Sequence, residues 1–118
     1  PKDSPHYQSI TQTIQLFDQG KSHREICNAI EDKWHVEYPA TNNTVSNMGI
    51  IISSLLHGGG DFLRTINLAY QGGDFTDAHN NAAISGAILA AAKGLAVIPA
   101  YLREPIYDRI RGTHLGTV

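Results

Sequence analysis

The sequence predicts an all-α fold, a helical bundle of about six helices. Three observations carry that expectation. Apolar residues recur at helical spacing along the whole chain, with no convincing strand alternation. Clusters of glycine, proline and asparagine cut the chain into helix-length pieces. The stretch Ala82 to Gly94 is so rich in Ala and Gly that it suits a buried central helix approached closely by its neighbours.

The elements follow in order. Ser4-Pro5 reads as a cap and a first-turn proline, and Ile10, Ile14 and Phe17 mark one face of a helix ending at Gly20. Ser22 to Glu25 fits a capping box, and Ile26, Ala29, Ile30 and Trp34 form the apolar stripe behind it. Tyr38 to Asn43 is a loop of breakers and caps. A third helix starts near Thr44 or Ser46 and runs to His57, where Gly58-Gly59-Gly60 stops it. Asp61 caps a fourth, Phe62 to Gln71, that buries Phe62, Ile66 and Ala69 or Tyr70. After Gly72-Gly73, a fifth starts near Thr76 or Asp77 and ends at Gly94. A last helix, Tyr101 to Arg111, carries Pro105, so it is short, kinked or begins there.

Composition narrows the function classes. Nine basic and eleven acidic residues leave a formal charge of -2, without the clustered Lys and Arg of a nucleic-acid footprint. The single cysteine, Cys27, rules out an internal disulfide and a cysteine-based zinc site, and its apolar helical setting reads as core. No stretch approaches the ~20 apolar residues of a membrane span, because Ser53 and Ser54 interrupt the run Ile50 to Leu56. No signal-peptide pattern opens the chain, so the compartment stays open, with the cytoplasm as default. The start at Pro1, without an initiator Met, points to a piece of a longer protein.

The residues that suit chemistry cluster in Gly73-Asp74-Phe75-Thr76-Asp77-Ala78-His79-Asn80-Asn81. Carboxylates at the mouth of a helix can hold hard cations, and the helix-start amides can orient them. Asp77 is equally a helix cap or first-turn acid. His79 is a softer donor, better matched to Mn2+ or Zn2+, or else a surface or packing histidine. Gly58-Gly59-Gly60 lacks the Gly-Lys-Ser/Thr ending of a phosphate loop and reads as a helix–helix turn. His57 suits a helix C-terminus.

From Asn47 to Arg111 the chain resembles the ADP-ribosylglycohydrolase family. The shared elements are Asn47 opening an apolar helix, Gly58 to Phe62, Thr65-Ile66, Gly73 to Asp77, Ala82 to Gly94, Ile98-Pro99 and Glu104-Pro105. The resemblance implies that residues 1–118 are the C-terminal portion of a larger all-α domain. It implies hydrolysis of a glycosidic bond to ADP-ribose at a two-Mg2+ site fed by an Asp-Thr-Asp turn.

That turn is altered here. An ungapped match upstream puts Phe75 on its first aspartate and keeps Thr76-Asp77. One inserted residue pairs Asp74 and Asp77 with the two aspartates, and anchoring on the following helix pairs Asp77 and His79. Asp77 survives every register. By resemblance the metal candidates are therefore Asp77, Asp74 and His79, with Thr76 and Asn47 on the substrate side. Asn47 is alternatively an N-cap. The family's second carboxylate cluster, an adjacent Asp pair, has no counterpart. Glu31-Asp32 is the only adjacent acidic pair and falls on the polar face of its predicted helix. A two-metal hydrolase needs ligands around both ions. The chain alone is thus expected to be inactive, to bind Mg2+ weakly, and to pair with the rest of the domain or with itself. The alternative is a non-catalytic helical module that kept the fold and lost the metal site.

Overall fold

A computed structural model describes residues 1–40 and 42–110, with side chains described as far as residue 106. Among the described residues all regular structure is helical. The helices are α1 (Pro5–Asp18), α2 (His23–Glu37), α3 (Thr44–Gly58), α4 (Phe62–Tyr70), α5 (Ala78–Lys93) and α6 (Ala100–Ile110), with a 3-10 turn at Leu95–Val97. The predicted end of the last helix at Arg111 lies outside the described residues.

The helix starts are set by local chemistry. The Ser4 hydroxyl accepts from the Tyr7 amide ahead of Pro5. Ser22 and Glu25 close a reciprocal capping box, at 3.2 Å and 2.8 Å. The Asp61 carboxylate accepts from the Arg64 amide at 2.8 Å. α3 ends at Gly59, whose φ of 61° is a left-handed cap that glycine takes without strain. Pro105 sits inside α6, which continues through it.

The central helix is α3 rather than the Ala/Gly-rich α5, which corrects the sequence expectation. α3 packs against α1, α2, α4 and α5, and buries Val45, Asn47, Ile50, Ile51, Ser53 and Ser54 among others. α5 packs chiefly on α3 and α4. It buries one face, Asn81, Ser85, Gly86 and Leu89, and leaves Ile84 and Ile88 exposed on the other. The small residues do permit close approach on the buried side. A Cβ on Gly86 would stand 3.1 Å from the Phe62 ring.

α1 also turns a different face inward from the one its isoleucines suggest. Ser9 and Thr13 are fully buried and Ile14 is exposed. The cause lies on α3: Gly49 has no side chain, and a Cβ there would meet the Ser9 hydroxyl at 2.8 Å. The two helices therefore touch through small hydroxyl side chains. The Ser9 hydroxyl donates to the Val45 carbonyl at 2.7 Å, so its burial leaves no polar group unmet. A compact apolar cluster of Ile26, Ile30, Trp34 and Val45 joins α2 to α3.

Candidate functional site

The site is built where the segment 71–77, between α4 and α5, folds back over α2 and α3. Two buried side chains hold it. Asn47 lies one turn inside α3, and its amide oxygen accepts from the Asp77 backbone amide at 3.2 Å and from the Asn81 side chain at 2.7 Å. Its own amide nitrogen donates to the Asn43 carbonyl at 2.7 Å. Asn47 is therefore not the cap of its helix. Asn43 fills that role, its side-chain oxygen accepting from the Ser46 amide at 2.8 Å.

The second holder is Glu31 on α2. Its carboxylate accepts from the Phe75 amide at 3.3 and 3.2 Å and from the Thr76 hydroxyl at 3.0 Å. Glu31 is 6% exposed, which overturns its assignment to a polar face; Asp32 alone is solvated. Two glycines make the approach possible. A Cβ on Gly73 would collide with the Glu31 carboxylate, and one on Gly72 with Thr76. Sequence did hold a clue to Glu31. It follows His23 and Cys27 at intervals of four, and those residues belong to the buried stripe of α2.

Asp77 occupies the N-cap position of α5, yet its carboxylate makes no capping bond to the helix backbone. One oxygen accepts from the Asn80 side chain at 2.8 Å, and the other lies 3.8 Å from the His79 ring. Asp77 is largely sheltered, whereas the His79 side chain is 83% exposed. Asp77 and Asn47 line a common cleft of about 260 Å³ with Asn43, Asn80, Asn81 and Ile51. The Asp77 carboxylate and the exposed Asn80 amide stand over an apolar floor, while the Asn43, Asn47 and Asn81 side chains hold the cleft together through hydrogen bonds within the fold.

The other sequence candidates separate. Asp74 does not join Asp77: its exposed carboxylate pairs with Arg24 at 3.1 Å, while the same guanidinium donates to the Gly72 carbonyl at 2.8 Å. The Thr76 hydroxyl is turned to Glu31. Phe75, on the outer side of the turn, stacks on His35 with ring centroids 3.9 Å apart. Among the described residues no group of three or more His, Cys, Asp or Glu converges as a metal would require. Burial, with the Glu31 charge second, pushes the Cys27 thiol up to about 12, so it is no nucleophile. His57 ties α3 to the α1–α2 turn, with one ring nitrogen 3.1 Å from the Lys21 carbonyl. No helix among the described residues is long and apolar enough to cross a membrane.

Comparison with known families gives one finding. The ADP-ribosylglycohydrolase family model matches residues 4–116, nearly the whole chain. The matched span includes the α1–α2 region, which lies outside the resemblance carried by Asn47 to Arg111. No match was found among the curated proteins or among the solved structures.

Proposed function

Because the chain belongs to the ADP-ribosylglycohydrolase family, a family of metal-dependent glycohydrolases, we propose that it serves the hydrolysis of a glycosidic bond to ADP-ribose and contributes the Asp77 edge of the site. One observation carries this reading. Asp77 stands at a helix start with its backbone pinned by Asn47, and its carboxylate is not used as a cap. Asn43 and Asn47 are engaged within the fold, so the Asp77 carboxylate and the exposed Asn80 amide are the groups suited to meet ribose hydroxyls.

The donor set sets a limit. Mg2+ prefers hard oxygen ligands in octahedral geometry, and in such sites it activates water and holds substrate oxygens. This cleft offers one carboxylate, with a histidine better matched to Mn2+ or Zn2+ beside it. Among the described residues that does not make a metal pair, so the reading requires further acidic ligands from outside them, as another part of the domain or another chain would supply. The exposed apolar residues Ile84, Ile88 and Leu95 support a face that such a partner covers. The second reading, a non-catalytic module, is favoured by a different observation. Asp74, the other acid of the turn, is held by Arg24 away from Asp77.

The test measures Mg2+-dependent release of ADP-ribose by the chain together with the polypeptide it copurifies with. Asp77→Ala is expected to lower the rate by about 100-fold and Asp74→Ala by less than about threefold, because only the former lines the cleft. Activity that ignores Asp77→Ala would remove Asp77 from the site. No hydrolysis, with ADP-ribose binding that still depends on Asn47, would establish the module.

A further inference from the structure

We propose that Glu31 is a positioning residue: from inside α2 it fixes the turn that delivers Asp77 to the cleft. The inference rests on the reading of Asp77 as a site residue. Glu31 is buried, and among the described residues no cation pairs with it. A carboxylate in that position is costly unless hydrogen bonds satisfy it. Its partners are the amide of Phe75 and the hydroxyl of Thr76, the two residues that immediately precede Asp77. The next amide, that of Asp77, is taken by Asn47 from α3. Three consecutive residues are thus held by two buried side chains on different helices. Neither Glu31 nor Thr76 lines the cleft, so they act on it through the backbone. The glycine pair Gly72-Gly73 fits the same purpose, since a side chain at either position would push the turn off Glu31 or Thr76.

A purely structural role would loosen the whole chain, whereas a positioning role loosens the turn. Amide hydrogen exchange on the full chain separates the two. In Glu31→Gln, exchange at the Phe75 and Asp77 amides is expected to rise about 30-fold while Ile30 and Ile50 change less than about threefold. Thr76→Val is expected to act in the same direction and Thr76→Ser to restore protection. The Glu31→Gln/Thr76→Val pair should be non-additive, because both remove one link. In the hydrolysis measurement Glu31→Gln is expected to lower kcat about tenfold with KM within about twofold, the mark of a misplaced catalytic edge. Unchanged exchange at Phe75 and Asp77, or parallel loosening of Ile30 and Ile50, would overturn the proposal. If the turn loosens as expected but hydrolysis ignores both Asp77→Ala and Glu31→Gln, the Asp77 reading has failed. If Asp77→Ala abolishes hydrolysis while Glu31→Gln changes neither exchange nor kcat, the Glu31 inference alone has failed.

Discussion

Gly73 shows how one missing side chain places a functional group. Its backbone passes so close to Glu31 that any Cβ would collide with the carboxylate, although its φ is not of the left-handed kind. The constraint is therefore space, not conformational freedom. Gly73→Ala should displace Glu31 or the turn and cost about 1–3 kcal/mol, the range for overpacking a tight contact. Urea unfolding of the variant measures this; at Gly20, by contrast, nothing crowds a Cβ and only the positive φ penalises alanine. Cys27 makes the opposite point: a reactive group silenced by its surroundings. With its thiol pushed up to about 12 by burial, almost no thiolate exists near neutral pH. A disulfide reagent should leave the folded chain unmodified and titrate its single thiol on unfolding. Rapid labelling of the native protein would show that Cys27 is open to solvent.

Between elements, the joint of α2, α3 and α4 is a histidine. One His23 ring nitrogen faces the Leu68 carbonyl at 2.6 Å and so donates; the other then accepts from the Ser53 hydroxyl at 2.9 Å. In that neutral tautomer Nδ1 is an acceptor, and a second proton there would require the Ser53 hydroxyl to turn round and accept. Burial, opposed by the Leu68 bond and aided by the nearby His57, lowers the His23 pKa from its ordinary 6.5. The unfolded chain thus takes up a proton at position 23 in a pH range where the folded chain does not. This contribution to stability is fully present above about pH 6.5 and declines as pH falls below it. Denaturant midpoints at about pH 7.5 and 5.5 should differ more for the wild type than for His23→Gln, which keeps a donor for Leu68 but cannot charge. Equal slopes would place the acid sensitivity elsewhere. The elements themselves were legible in the sequence because their ends are local chemistry: the Ser22 capping box, the Asp61 cap and the Gly58–Gly60 stop all lie within a few residues of what they control. The inward face of α1 was not, because it is decided by Gly49 on another helix. The same holds for the site. Asp77 stands out in the turn it sits in, whereas for Glu31 the helical spacing could suggest burial but not its partner, because that contact spans more than forty residues of chain.

For the whole molecule, the order of packing decides what the site can do alone. The core is centred on α3, so α5 keeps an open flank with Ile84 and Ile88 at its surface, and the Asp77 cleft borders that flank. The cleft consequently has a floor and one acidic edge, supplied by α3 and the start of α5. A cation there would meet one carboxylate, neighbouring amides, and the exposed His79 ring. Mg2+ releases its waters reluctantly and gains little from so few charged ligands. Affinity further depends on a preformed donor set, and among the described residues no three metal-binding side chains converge. Calorimetric titration of the isolated chain should therefore show Mg2+ binding weaker than micromolar. Mn2+ should bind somewhat more tightly than Mg2+, because an imidazole suits it better. Whatever binding is seen should vanish in Asp77→Ala, and the Mn2+ preference should narrow in His79→Ala. Sub-micromolar Mg2+ binding would mean that the cleft is a complete site as it stands. Tight binding that survives Asp77→Ala would place the metal on residues other than the start of α5.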